Sequence, residues 1–142
     1  MAQESYLSEL VPKTAEILRG QKVDQRGALC WQVVDSGEIE VLLISSKDTG
    51  RWVIPKGNIE KNEPLHKCAQ REALEEAGIK GRVSKKALGY YTYLKDVSKP
   101  PFLVSVFLLE AENVIGTFKE VGKRKLIWVS PSEAVAMVGE PD

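Results

Sequence analysis

Three glutamates, Glu72, Glu75 and Glu76, stand at positions i, i+3 and i+4 of the run Arg71-Glu72-Ala73-Leu74-Glu75-Glu76-Ala77-Gly78-Ile79. On a helix that spacing gathers three carboxylates on one side. Clustered carboxylate oxygens suit a hard divalent cation. Magnesium takes few protein carboxylates and keeps places for water and substrate oxygens. An ion held there would neutralise anionic oxygens and make bound water more acidic, which suits metal-assisted hydrolysis. A lone Glu-x-x-Glu-Glu is more often a solvated helix face with i,i+4 pairs, and Arg71–Glu75 is such a pair. Here Gly57, Glu63, Arg71 and Gly78 surround the glutamates and favour the chemical reading.

Those side chains need a helix, and its ends are marked. Pro64 suits the first helical turn and Gly78 a left-handed C-terminal cap. Ala69, Ala73 and Ala77 form a small-residue stripe that lets the helix lie close to a sheet, with the glutamates at its rim. Upstream, residues 28–34 and 39–45 read as two strands of a hairpin, turned by Asp35-Ser36-Gly37-Glu38. Residues 51–54 are short and extended, because Pro55 disfavours helix at the residue before it. Downstream, 83–94 and 102–110 read as single strands joined by a polar loop at 95–101, and 125–129 as a last strand. Ser130, Pro131 and Glu133 predict a capping box for a final helix ending near Gly139. Mostly strands with two helices set apart predicts an α/β fold, a mixed sheet with helices on its faces.

The chain has 142 residues, 43% hydrophobic and 28% charged, enough for one domain with one core. Residues 1–22 read as an N-terminal arm, helical or flexible, ahead of a domain at 23–142. Lys+Arg and Asp+Glu balance at 20 each, so any anion site must be local. No nucleic-acid or membrane partner is expected. A monomer or homodimer is expected. Cys30 and Cys68 lack metal spacing and fit a reducing compartment. With no apolar run of membrane length and no signal-peptide core, the expected location is cytoplasmic.

The segment from Gly57 to Ile79 resembles the Nudix box: G, five residues, E, seven residues, then R-E-U-x-E-E-x-G-U, with U apolar. Seven identity positions agree, and chance agreement is on the order of 10⁻⁸ per starting point. The resemblance implies a single-domain α/β/α sandwich around a mixed sheet. It implies hydrolysis of a phosphoanhydride in a nucleoside diphosphate-linked or related substrate, a small anionic diphosphate or polyphosphate as partner, with Mg²⁺ or Mn²⁺. By position Glu72 and Glu76 match metal ligands, and Glu75 matches a ligand or proton acceptor, so Glu75 and Glu72 are the catalytic candidates. A backbone carbonyl at Lys56 or Gly57 would complete the shell. Glu63, Arg71 and Gly78 match bracing positions.

A second resemblance lies outside the box. Val41 to Lys47, Arg51 to Pro55, and Val121 to Lys125 before Trp128 look like the diphosphoinositol polyphosphate phosphohydrolases and the similar dinucleoside polyphosphate hydrolases. It implies substrate contacts from Arg26, Ser45, Ser46, Lys47, Arg51, Lys56 and Lys123. The Pro55-Lys56-Gly57 turn is more similar to the dinucleoside polyphosphate group. Alternatives are an ADP-ribose or nucleotide-sugar pyrophosphatase and, in another class, a nucleotide-binding sensor without turnover. Glu120 reads as a plain surface glutamate, with a distal catalytic carboxylate as the other option. Trp52 reads as a packing residue. Of Tyr90, Tyr91 and Tyr93, strand alternation is expected to bring one at most to the cleft.

Overall fold

The computed structural model describes residues 23–94 and 98–138. The arm expected at 1–22, the middle of the 95–101 link and the helix end expected near Gly139 lie outside the described residues. The elements are β1 (Val23–Val33), β2 (Ile39–Ser45), β3 (Trp52–Val53), β4 (Lys56–Asn58), α1 (Leu65–Ala77), β5 (Ile79–Val83), β6 (Gly89–Tyr93), β7 (Phe102–Val114), β8 (Leu126–Val129) and α2 (Pro131–Val138). The strands form one mixed sheet in the order β3-β2-β1-β7-β5, with β4 added on β1, β6 on β7 and β8 on β2. β1 and β7 run parallel from Val23 opposite Phe102 to Trp31 opposite Glu110; the other pairings are antiparallel.

Alternation along β2 divides the interior into two layers. Leu42 and Ile44 join Ala28, Cys30, Phe107 and Leu109 beneath Ala69, Ala73 and Ala77 of α1. Val41 and Leu43 join Val129 and Ala134 of α2, with Trp31 and Trp52 packed at the margin. One helix therefore covers each face of the sheet, and Trp52 is a packing residue. The capping box of α2 forms as expected: Glu133 N–H donates to Ser130 Oγ at 3.2 Å and Ser130 N–H to Glu133 Oε1 at 3.0 Å.

Several expectations need correction. The strand expected at 83–94 is confined to β6 at Gly89–Tyr93, and a separate strand, β5, runs ahead of it at Ile79–Val83. β5 pairs with the C-terminal half of β7 and β6 with its N-terminal half, so two short strands share one edge of a 13-residue strand. A bulge at Lys80/Gly81 bends β5; a Cβ at Gly81 would collide with the Glu110 carbonyl. β4 was not expected, since Lys56-Gly57-Asn58 has no strand propensity; pairing with Gln25–Gly27 holds it. Pro64 stands one residue before α1, where its carbonyl accepts from Lys67 and Cys68.

Candidate active site

Helical periodicity turns positions 68, 69, 72, 73, 76 and 77 of α1 toward the sheet, and all six are buried. Two of them are glutamates, Glu72 at 8% exposure and Glu76 at 6%. Their carboxylates reach the rim where β4 crosses below the helix. Gly57 of β4 lies directly under Glu72, and a Cβ there would overlap that carboxylate. This is why the pattern needs glycine. Lys56 N–H donates to Glu76 Oε1 at 3.2 Å, so the β4 backbone lies against the acids.

Arg71 ties the cluster to the loop before the helix. Its Nε donates to Glu63 Oε2 at 2.7 Å, its Nη2 to Glu63 Oε1 and to Asn58 O, each at 3.1 Å. Its Nη1 donates to Glu72 Oε2 at 3.0 Å and Glu75 Oε1 at 3.2 Å. The hydrogen bond from Arg71 holds Glu63 below the usual carboxylate range, and the same bond raises Arg71. Burial pushes Glu72 upward. It pushes Glu76 to about 8, against a partly offsetting Arg124, with Glu72 adding to the rise.

The structure thus gathers Glu72, Glu75 and Glu76 along one flank. Among the described residues, no three such side chains converge on a common point as they stand. Glu72 and Glu75 turn to Arg71, and Glu76 turns to the Lys56 amide and to Arg124, whose Nη2 lies 3.5 Å from Glu76 Oε2. The donor set still fits a hard cation. It is all oxygen, it includes two buried carboxylates, and Gly57 lets the Glu72 carboxylate lie against the β4 backbone, where a carbonyl is at hand.

Beyond β4 opens a cleft of about 510 Å³ whose lining includes Ser46, Asp48, Arg51, Lys56, Lys99, Tyr91 and Tyr93. Two tyrosines reach it, not one: Tyr91 and Tyr93 are two apart on β6 and share a face, while Tyr90 points to solvent. Tyr93 stacks on Phe102 with ring centroids 4.8 Å apart, donates to Gln25 Oε1 at 2.9 Å and carries Lys56 Nζ 5.2 Å above its ring.

Other nominated residues lie elsewhere. Arg26 faces Gly57 across the β1–β4 pair and is 8% exposed; its Nη1 donates to Gln25 O and its Nε has no partner. Ser45 is outside the cleft lining, and its Oγ accepts from Lys125 N–H at 2.8 Å. Lys47 Nζ pairs with Glu120 at 3.1 Å. Lys123 is exposed on the loop before β8, where its amide donates to Glu120 O. Glu120 is not a plain surface glutamate. Its amide donates to Glu75 O at 2.9 Å, and its carboxylate is held by Lys47 and by Arg124 Nε at 3.2 Å. Burial raises Glu120, but those two hydrogen bonds outweigh it and leave the carboxyl below its ordinary range.

The residue that sequence reasoning missed is Arg124. It links Glu76, Glu120 and, through Nη1 at 3.1 Å, the Ser45 carbonyl. Its one available signal was its i+4 spacing from Glu120, hidden inside the basic run Lys123-Arg124-Lys125.

A family model described as NUDIX domain matches residues 23–142. The chain is 38% identical over 109 residues to Nudix hydrolase 21, chloroplastic, of Arabidopsis thaliana, covering 71% of this chain and 51% of that protein. It is 30% identical over 118 residues to human diphosphoinositol polyphosphate phosphohydrolase 3-alpha, covering 80% and 69%. The fold matches a Caenorhabditis elegans Ap4A hydrolase binary complex at TM-score 0.65 and 22% identity, covering 83% and 87%. The chain belongs to the Nudix hydrolase family. It spans about half the length of the plant relative. Among the described residues no helix is long and apolar enough to cross a membrane.

Proposed function

We propose that this protein hydrolyses a phosphoanhydride bond in a nucleoside-linked polyphosphate, a dinucleoside polyphosphate in first place, using Mg²⁺ or Mn²⁺. The observation that carries the reading is the adjacency of the Glu72–Glu75–Glu76 flank to a cleft bearing both cations and aromatic rings. The glutamates would hold the ion, with a Lys56 or Gly57 carbonyl beside them. When bound, the ion supplies positive charge against phosphoryl oxygens and makes water more acidic.

The chain's own residues do the rest. Arg51, Lys56 and Lys99 meet phosphates at the cleft, and Ser46 offers a hydroxyl. Arg26, on the strand beside β4, adds a guanidinium whose Nε is unpaired. Glu75 is the least buried of the three acids and is placed to take a proton at its carboxylate. Tyr91 and Tyr93 supply an aromatic wall, which suits a nucleobase better than an inositol ring and favours the dinucleoside reading over a diphosphoinositol polyphosphate. The buried free thiols Cys30 and Cys68 support a reducing location such as the cytoplasm.

The test is a substrate panel of diadenosine polyphosphates, ADP-ribose, nucleoside triphosphates and a diphosphoinositol compound, with Mg²⁺, Mn²⁺ or chelator. Diadenosine tetraphosphate is expected to have the highest kcat/KM, and Glu75→Gln to lower it by about 10² or more with the fold intact. Turnover unaffected by chelator and by Glu75→Gln would sink the mechanism.

A further inference from the structure

The carboxylate flank has open space on both sides. Toward β4 lies the tyrosine-walled cleft. On the other side Glu75 forms part of a second groove of about 330 Å³, lined also by Leu74, Lys80, Thr117, Phe118 and Lys119. That volume falls at the small end of the roughly 300–1,000 Å³ typical of ligand sites. A continuous run of contacts joins the two spaces. The Lys56 amide touches Glu76, Glu76 meets Glu72, and Arg71 Nη1 bridges Glu72 to Glu75.

The groove is built rather than incidental. Ile115 N–H donates to Gly78 O at 2.8 Å and Glu120 N–H to Glu75 O at 2.9 Å, so the loop after β7 is pinned to the end of α1. Gly78 has φ 70°, and a Cβ there would run into the Phe118 ring. The last box glycine therefore ends the helix and also seats the groove's aromatic floor. Two lysines, Lys80 and Lys119, stand against one carboxylate, Glu75, in the groove lining. Lys80 makes no ion pair among the described residues, and Lys119 approaches Glu75 only at 3.8 Å while staying largely exposed. Lys80 also lines an adjoining trough with Lys67, Arg71 and Glu112.

We infer that this groove receives the distal part of the substrate: the phosphates beyond the scissile anhydride and the second nucleoside, while the first nucleoside lies in the tyrosine-walled cleft. Lysines meet the phosphates, and Leu74 and Phe118 offer apolar surface to the base and ribose. The inference rests on the hydrolase reading above and deepens it, since it requires a polyphosphate capped at both ends.

Steady-state kinetics with Mg²⁺ would compare diadenosine tetraphosphate with ADP-ribose, whose distal portion is a neutral sugar, in wild type, Lys80→Glu and Thr117→Trp. Each variant is expected to raise KM for the tetraphosphate about fivefold more than KM for ADP-ribose, for Lys80→Glu the scale of one exposed charged contact. Amide NMR with a methylene-bridged tetraphosphate analogue gives a readout free of turnover. Shifts are expected at Thr117 and Lys119 with the analogue and not with ADP. Equal kinetic effects on both substrates, or shifts confined to the tyrosine-walled cleft, would overturn the groove alone. A wild-type protein inert toward both compounds and unshifted by the analogue would overturn the hydrolase reading, and the groove with it.

Discussion

At Gly57 a single missing methyl decides whether a carboxylate can reach its place. Glu72 fills the space a Cβ would take, so Gly57→Ala must displace either β4 or the glutamate. The expected result is a loss of about 1–3 kcal/mol of stability, together with weaker cation binding, read by calorimetric unfolding and Mn²⁺ titration. Glu76 makes a second residue-scale prediction. Its carboxyl titrates near 8 in the folded protein because of burial, and near 4.5 in its ordinary state. The folded state therefore binds the extra proton between those values. Its stabilising contribution is complete below about 4.5 and is lost as pH rises toward 8. In metal-free buffer Tm is expected to fall from pH 5 to 8, and Glu76→Gln should flatten that slope. An unchanged slope in the variant would show that the titration lies elsewhere.

Among the elements, the loop between β4 and α1 has little packing of its own and depends on one arginine. Arg71 joins Glu63, Asn58 O, Glu72 and Glu75, a geometry that needs a planar fork with several donors. Arg71→Lys keeps the charge but cannot span those partners. It is expected to destabilise the fold by about 3 kcal/mol, the scale for breaking a part-buried ionic network, and hydrogen exchange should rise first in residues 58–63. Exchange rising evenly over the whole sheet would argue that the brace is not local. The loop after β7 is held differently, by backbone bonds to Gly78 and Glu75 and by the Lys47–Glu120–Arg124 chain, so it should keep its protection in that variant.

For the molecule as a whole, two buried acids side by side are an electrostatic cost that a bound cation relieves. An ion that binds only the folded state stabilises it by mass action, about 2.7 kcal/mol at one hundred times Kd. Tm is therefore expected to climb with the logarithm of Mg²⁺ or Mn²⁺ concentration at pH 7.5 and to stay level with Na⁺ at equal ionic strength. Glu76→Gln should remove most of that climb. A response equal for Na⁺ and Mg²⁺ would reduce the effect to general screening.

Local spacing was enough for α1, its alanine stripe, its glutamates, the β1–β2 hairpin and the capping box of α2, because each depends on residues within a few positions of one another. The sequence by itself therefore determined the family, the sheet-and-helix class and which acids form the flank. The tertiary structure decided what those acids touch. Arg124 meets Glu76, Lys47 meets Glu120, and Arg26 lies opposite Gly57 only because the sheet sets β2, β1 and β4 side by side and brings the loop before β8 to the end of α1. The same holds for the edge of β7 shared by β5 and β6, which turned Tyr91 and Tyr93 together into one cleft. Periodicity records which way a side chain points from its own element; which partner waits there is a matter of register between strands far apart in the chain.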